Sequence, residues 1–252
     1  MRIVSALAAL TLSILLGPAP ATALGCEDIS FDGQDYTICR VDMEQDDLRL
    51  FLDAPDGQPW AQFGRIDAAL EATGQRLAFA MNAGMYHADR SPVGLYVENG
   101  KERMRAIPNA GPGNFGLLPN GVFCFGSGRA HVIETLTFLK EGPACPYATQ
   151  SGPMLVIDGE LHPRFLEGSD SRYIRNGVGT SSDGRMAIFA ISHRPVTFHE
   201  FGRLYRDGLG LDQALFLDGN VSKLHAPAIG RSDFGRAMGP IVGVAAPKAD
   251  DR

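Results

Sequence analysis

Short apolar segments separated by turn residues dominate the chain and predict a protein built mainly from β-strands. The dipeptides Asn99-Gly100, Asp158-Gly159 and Asp183-Gly184 lie between such segments. They indicate antiparallel pairing, because their left-handed backbone suits tight hairpin turns. The predicted strands cover 47–53, 77–83, 93–98, 122–125, 131–135, 154–157, 186–192, 214–217 and 240–246.

Two segments have helical periodicity instead. Thr197 and Glu200 match a capping box ahead of an apolar stripe, which predicts a helix that ends at Gly208 or Gly210. The segment 61–73 places its apolar residues on one face and predicts a second helix. With many strands and few helices, we predict an α+β fold with a mixed, largely antiparallel β-sheet.

The N-terminus has the three regions of a secretory signal: Arg2, an apolar run, and small residues that end at Ala23. The apolar run is too short to span a membrane, and no later window approaches the required length. We therefore predict a signal peptide over 1–23 and a single domain over 24–252. The mature protein is expected in the periplasm or outside the cell.

The composition and net charge agree with a folded domain of this kind. The apolar fraction of 44% is ordinary for a packed core. The formal net charge is −6, and no long run of Lys and Arg is present to follow a nucleic-acid backbone. The sequence therefore argues against a nucleic-acid partner.

Four cysteines follow the predicted signal. An even number in an oxidising compartment predicts two disulfides, for which three pairings are formally open. We expect the near-neighbour pairing, Cys26 with Cys39 and Cys124 with Cys145. The competing interpretation makes Cys26 a lipidated N-terminus, but such signals usually have Leu three positions earlier, where this chain has Ala23.

Three motifs invite functional interpretations that their surroundings argue against. Residues 111–116 spell G-x-G-x-x-G, but no strand leads into them and no helix follows, so dinucleotide binding is rejected. As a loop, this glycine-rich backbone can still face an anion. Ser151 lacks the elbow motif of serine hydrolases. His87 and Asp89 are two positions apart, but the histidines show no metal-ligand spacing, so no metal is predicted and a site at His87 and Asp89 stays a minor alternative.

Two predicted strands end in polar residues. The strand 214–217 runs into Asp218 and Gly219, and the strand 77–83 contains Asn82 just before Gly84. Because loops at strand ends build binding sites, we expect these two ends to converge on one pocket. A further tight turn is the plainer interpretation of Asp218-Gly219.

Four ordered blocks of the chain resemble the phosphodiester glycosidase family. They are similar to its N-G-G-F-F, S-G-P-x-L-v-x-d-G, R-t-a-i-G and L-D-G-G-g-S motifs, and they lie at 81–86 with 92–95, 151–159, 175–185 and 217–222. The similarity covers about 77–245 and is strongest to a bacterial periplasmic branch. The chain departs from the family at Ala83 and at Asn220-Val221, where the family usually has glycine or another small residue.

The resemblance implies an exported hydrolase that cleaves the sugar–phosphate bond of a sugar 1-phosphodiester, such as a glycan or an envelope metabolite. Since the leaving group is already an anionic phosphate ester, cleavage needs less help from a general acid than ordinary glycoside hydrolysis does. We expect Asp218 to act as nucleophile or base. Asn82 would contact the sugar or the attacking water, and Glu200 or Glu167 is the candidate partner.

Phosphate binding requires hydrogen-bond donors. Arg175 is the first candidate, because its guanidinium can bind phosphate through two hydrogen bonds, and Arg90 is the second. The remaining predicted substrate contacts are Ser151, Gly152, Gly219, Ser222 and Gly84. No cofactor is predicted, since no residue pattern supports a divalent cation.

Two other functions stay open. The departures at Ala83 and Asn220 favour a non-catalytic envelope protein that binds carbohydrate or phosphoglycan. A hydrolase of another class, such as an esterase that uses Ser151, is the second alternative.

Overall fold

A computed structural model of the chain describes residues 24–218 and 221–248. The predicted signal peptide, 1–23, and the predicted phosphate contact Gly219 lie outside the described residues. Within those ranges no helix is long and apolar enough to cross a membrane. The strands form three sheets whose neighbours pair antiparallel. The predicted α+β fold with largely antiparallel sheets is confirmed.

The regular elements are short and mostly strands. In chain order the strands are β1 (Gly25–Phe31), β2 (Gln34–Asp42), β3 (Asp47–Phe51), β4 (Gln75–Asn82), β5 (Tyr96–Glu98), β6 (Lys101–Met104), β7 (Gly121–Gly126), β8 (Arg129–Glu134), β9 (Tyr147–Ser151), β10 (Met154–Ile157), β11 (Glu160–Leu161), β12 (Asn176–Thr180), β13 (Met186–Ser192), β14 (Gln213–Asp218), β15 (Leu224–Ala226), β16 (Arg231–Ser232) and β17 (Ile241–Pro247). The helices are α1 (Phe63–Glu71), α2 (Thr135–Glu141) and α3 (Phe198–Arg203).

Seven strands form the largest sheet, in the order β1-β2-β13-β12-β14-β10-β11. The second sheet has the order β16-β15-β4-β17-β3 and the third β6-β5-β9-β7-β8. All three predicted hairpin turns join antiparallel neighbours: β5 to β6, β10 to β11, and β12 to β13.

The sequence pattern missed several strands, and β12 shows why. A Cβ added at Gly177 would lie 2.6 Å from the Leu215 carbonyl oxygen, and one at Gly179 would lie 2.7 Å from Leu211 Cδ1. Glycine is therefore needed where β12 approaches its neighbours closely, although glycine is unfavourable by propensity in a strand. The hairpin β1–β2 was also missed, despite the turn signal at Asp32-Gly33.

Both predicted helices exist, and α2 is an addition. The Thr197 hydroxyl accepts a hydrogen bond from Glu200 N at 3.1 Å, and the Glu200 carboxylate accepts one from Thr197 N at 2.8 Å, so the predicted capping box is confirmed. A π-helical turn, Leu204–Gly208, continues α3 to the predicted end. The strand predicted over 131–135 stops earlier, because the Glu134 carboxylate caps α2.

An aromatic cluster joins the three sheets at the centre of the molecule. Phe79 of β4, Phe123 of β7 and Phe189 of β13 are fully buried. The Phe189 ring lies 4.9 Å from the Phe79 ring and 5.8 Å from the Phe123 ring, between centroids. Such contacts hold the sheets at fixed distances from one another, because packed interiors tolerate few voids.

Two disulfides link neighbouring segments of the chain. Cys26 is bonded to its cross-strand neighbour Cys39, and Cys124 of β7 is bonded to Cys145 just before β9. The near-neighbour pairing predicted from the sequence is confirmed. Disulfides of this kind are typical of proteins that fold in an oxidising compartment.

Candidate active site

The two polar strand ends converge, although they belong to different sheets. Asn176, at the start of β12, is the residue that links them. Its side-chain oxygen accepts hydrogen bonds from the Asn82 amide at 3.3 Å and from the Asp218 backbone N–H at 3.1 Å. Its amide group donates to the Asn82 carbonyl oxygen at 3.2 Å. Asn82 Oδ1 in turn accepts from Lys223 N at 3.0 Å, so one buried network anchors both sheets beside Asp218.

The two serines that were predicted to contact the substrate make hydrogen bonds to the backbone. Ser151 is fully buried and donates to the Leu217 carbonyl oxygen at 2.7 Å. Ser222 donates to the Ile174 carbonyl oxygen at 2.9 Å and lies 3.1 Å from the Asp218 carbonyl oxygen. These bonds fix the backbone on both sides of the Asp218 carboxylate.

A cleft of about 1000 Å³ opens at this point. Asp218 is 7% exposed and supplies the only carboxylate of the lining within the described ranges. The other functional side chains of the lining are two arginines, three aromatic rings and an amide: Arg90, Arg236, Tyr86, Tyr173, Phe115 and Asn114. The cleft therefore combines an acid with cations and aromatic rings.

The pKa of Tyr86 depends on the charged side chains that line the cleft. The Tyr86 hydroxyl donates to the Ala237 carbonyl oxygen at 3.0 Å, and the Arg90 guanidinium carbon lies 5.2 Å from its ring centroid. Burial raises the pKa of Tyr86, the negative charge of Asp218 raises it further, and Arg90 and Arg236 oppose the shift. The acid and both arginines thus act on the same ring, which places their charges around one space.

A tight turn presents Arg90. His87 N donates to the Ser91 carbonyl oxygen at 2.8 Å, Arg90 N donates to the His87 carbonyl oxygen at 2.9 Å, and the Asp89 carboxylate accepts from Ser91. Arg90 itself has φ of 77°, in the left-handed region that non-glycine residues adopt rarely. His87 and Asp89 thus belong to this turn. Within 24–218 and 221–248, no three His, Cys, Asp or Glu residues are grouped to hold a metal.

The glycine-rich loop at 111–116 forms another wall of the cleft. Asn120 donates to the Phe115 carbonyl oxygen at 2.9 Å, and the Gln150 side chain both donates to and accepts from the Ile107 backbone. A Cβ at Gly152 would lie 2.6 Å from Asn120 Cβ. Gly152, a predicted substrate contact, is therefore required for packing behind this loop.

Gly84, another predicted contact, has the same kind of role. Its φ is 150°, and a Cβ there would lie 3.0 Å from the Thr149 hydroxyl oxygen. Thr149 donates that hydroxyl to the Ala83 carbonyl oxygen at 2.8 Å. The glycine thus lets β9 approach the end of β4 closely.

Arg175 lies behind the cleft wall. It is 1% exposed, Nε donates to the Val196 carbonyl oxygen at 2.8 Å, and Nη2 donates to the Ser171 carbonyl oxygen at 2.9 Å. Its guanidinium carbon lies 3.6 Å from the Phe198 ring centroid, and burial lowers its pKa to about 10. Since Ser171 and Tyr173 line the cleft, Arg175 positions that wall without reaching its surface.

Glu200 caps α3 and is not among the cleft-lining residues described. Arg172 donates to both of its carboxylate oxygens, at 2.9 and 2.8 Å. Partial burial opposes ionisation of Glu200, but the hydrogen bonds from Arg172 and Thr197 lower its pKa. The second candidate partner, Glu167, is exposed and also lies outside the described lining.

Sequence reasoning missed Asn176 and Arg236. An asparagine at the start of a fully buried strand is a signal for Asn176, since a buried amide requires partners. Arg236 precedes β17, which starts beside the end of β4 because the two strands are antiparallel. That register could have placed Arg236 near Asn82, had the pairing been known.

A family model described as Phosphodiester glycosidase matches residues 75–233, which include Asn82, Arg90, Asn176 and Asp218. The chain belongs to the phosphodiester glycosidase family. Membership assigns it to a class of hydrolases. Arg236 lies just beyond the matched region.

The chain is also similar to individual proteins. The chain is 32% identical over 208 residues to the uncharacterized protein YigE of Escherichia coli K12, covering 82% of this chain and 81% of YigE. A crystal structure of a hypothetical protein from Synechocystis superposes with a TM-score of 0.60 at 14% identity, covering 88% of this chain and 62% of that one.

A zebrafish structure has a similar fold. It is the catalytic domain of N-acetylglucosamine-1-phosphodiester alpha-N-acetylglucosaminidase, auto-inhibited by its pro-peptide. The TM-score is 0.59 at 12% identity, covering 90% of this chain and 84% of that domain. At such identities, the similarity to either solved structure shows the fold alone.

Replacing the linking amide tests the buried network. Asn176→Ala leaves the Asp218 N–H and the Asn82 amide without their acceptor, so the free energy of unfolding should fall by about 2–4 kcal/mol. Urea denaturation measures this change. The matched control is Asn114→Ala, which removes an exposed amide and should change stability by about 0.5 kcal/mol or less. Equal effects of the two substitutions would contradict the role of the network.

Proposed function

We propose that the protein hydrolyses the bond between C1 of a sugar and the phosphate of a sugar 1-phosphodiester. Water is consumed, and the products are the free sugar and a phosphomonoester. The observation that carries the proposal is the position of the Asp218 carboxylate in a cleft shared with Arg90 and Arg236. Family membership supports the same reaction class.

The two arginines suit the phosphate. A phosphodiester carries one negative charge, and guanidinium groups bind such oxygens through short, charge-assisted hydrogen bonds. Arg90 and Arg236 line the cleft, whereas Arg175 is 1% exposed and donates Nε and Nη2 to backbone carbonyls. Its Nη1 is buried and has no hydrogen-bond partner within the described residues. The phosphate-binding role therefore passes to Arg90 and Arg236, and Arg175 becomes a positioning residue.

The aromatic wall suits a sugar ring. Tyr173 is 51% exposed and lines the cleft together with Phe115. Flat rings offer an apolar surface to the C–H face of a sugar, while the exposed amide of Asn114 can exchange hydrogen bonds with its hydroxyl groups. The sugar would then lie in the cleft with C1 towards Asp218.

Asp218 would promote the reaction at C1 by one of two routes. As a nucleophile it forms a bond to C1 while the C1–O electron pair leaves with the phosphate, and water then hydrolyses the glycosyl-enzyme. As a base it takes a proton from the water that attacks C1. Either route suits a site with a single carboxylate, because the departing phosphate monoester is a weak base that needs little protonation.

The proposal includes export. The predicted signal peptide and the two disulfides support a periplasmic or secreted protein. N-terminal sequencing of the protein expressed in a Gram-negative host should give a chain that starts near Leu24 in the periplasmic fraction. A cytoplasmic chain that retains Met1 would contradict export.

Turnover tests the role of Asp218. The mature protein should release sugar and phosphomonoester from a panel of sugar 1-phosphodiesters that includes N-acetylglucosamine 1-phosphodiesters, the class named for the zebrafish enzyme. Asp218→Asn should lower kcat/KM by about 1000-fold or more, because it removes the reacting carboxylate. Asp212→Asn changes an exposed carboxylate just before the start of the same strand and should alter kcat/KM by about twofold or less.

Two outcomes would contradict the proposal. Full activity of Asp218→Asn would remove Asp218 from catalysis. Binding of the diesters without turnover by the wild-type protein would favour the alternative, a carbohydrate- or phosphoglycan-binding protein.

The phosphate contacts have their own test. Arg90→Ala and Arg236→Ala should each lower kcat/KM by about 10- to 150-fold, since a hydrogen bond to a charged group contributes about 1.5–3 kcal/mol. Steady-state kinetics on the best diester of the panel measures this loss. Arg105→Ala removes an exposed arginine outside the cleft lining and serves as the matched control. Equal kinetics in all three variants would contradict the assignment.

A further inference from the structure

A second cavity adjoins the cleft. Its volume is about 590 Å³, and it shares Val221 and Arg236 with the cleft. Its remaining lining comes from the residues around Ser222 and from the segment that carries Phe234. Arg236 therefore stands between the two cavities.

A phosphodiester has two arms, one on each side of the phosphate. If Arg236 binds the phosphate and Asp218 attacks C1, the sugar arm must lie in the cleft, because Asp218 lines the cleft and is not part of the described lining of the second cavity. The alcohol arm then extends beyond Arg236. The second cavity is the adjoining space on that side.

The polar groups of the second cavity are engaged within the protein. Ser222 donates to a backbone carbonyl, and Lys223 Nζ donates to the Arg236 carbonyl oxygen at 2.5 Å. The Asp233 carboxylate accepts from the Arg231 guanidinium at 2.9 Å and from a backbone N–H. Polar recognition of the alcohol would therefore compete with bonds that the fold already makes.

Phe234 differs from these polar groups of the lining, because its side chain is apolar and exposed. It is 92% exposed, more than any other large apolar side chain in the described ranges. Its segment is fixed on one side by the pair of Arg231 and Asp233, and Arg231 also donates to the buried Thr37 hydroxyl at 3.1 Å. A phenyl ring held in water beside a substrate cleft offers apolar surface for a ligand to cover.

We propose that the second cavity binds the alcohol arm of the phosphodiester and selects alcohols with an aromatic or flat apolar face. Phe234 is the specificity-determining residue, and Arg236 divides the alcohol site from the sugar site. This inference rests on the proposed function and adds the class of alcohol to it.

The phosphomonoester product lacks the sugar, so simple phosphomonoesters can test the second cavity alone. Methyl phosphate and benzyl phosphate contain the phosphate and the alcohol arm alone, and their affinities for the mature protein can be measured by calorimetry. Benzyl phosphate should bind about fivefold to tenfold more tightly than methyl phosphate, as expected for one added aromatic contact.

Variants at Phe234 identify the source of that preference. Phe234→Ala should reduce the ratio of the two affinities to about one, whereas Phe234→Tyr should keep it, because the ring is retained. Leu136→Ala, which truncates an exposed leucine on α2 outside both cavities, is the control and should keep the ratio. Thermal melting checks that each variant is folded.

The outcomes separate this inference from the proposed function. Equal affinities of the wild-type protein for the two esters, no binding of either ester, or an unchanged ratio in Phe234→Ala would overturn the inference. Turnover of the diester panel with a ratio near one would overturn it and leave the hydrolysis standing. A retained preference without turnover would support the alcohol site and overturn the hydrolysis.

Discussion

The paired amides of Asn82 and Asn176 are the interaction on which the candidate active site depends. Each belongs to a different sheet, and each uses both polar ends of its side chain in the interior. Through Asn176 the pair also holds the backbone N–H of Asp218. Because a buried amide is stable only when its hydrogen bonds are made, the two sheets cannot slide past each other without loss of several bonds at once.

Rigid support extends to the walls of the cleft. Arg175 positions the wall that carries Tyr173, and Gln150 with Asn120 holds the loop that carries Phe115. These supporting residues are buried, whereas Tyr173 is 51% exposed and lines the cleft beside the largely buried ring of Phe115. Binding sites that act on a charged substrate gain from such preorganisation, because little reordering is left to occur when the ligand arrives.

The family motifs lie in segments that line or support the cleft, but several residues within them make structural contacts. Ser151 and Gly152 lie beside the site and support its backbone, whereas Arg236, outside the family match, lines the cleft itself. The motif of residues 111–116 was rejected as a dinucleotide fingerprint, yet its loop lines the cleft. A motif therefore indicated the position of the candidate site better than the role of each residue, since a role depends on which atoms line the cleft.

Local features could be predicted from the amino-acid sequence: the hairpin turns, the capping box of α3, the short-range disulfide pairs and the polar ends of β4 and β14. These depend on backbone preferences and on contacts between residues close in the chain, which the order of amino acids specifies directly. Tertiary packing was needed to show that Asn82 meets Asn176, that Arg175 is buried, and that Arg90 and Arg236 line the same cleft as Asp218. Those relations depend on which strands pair and how three sheets pack, because long-range register brings together residues that no local pattern connects.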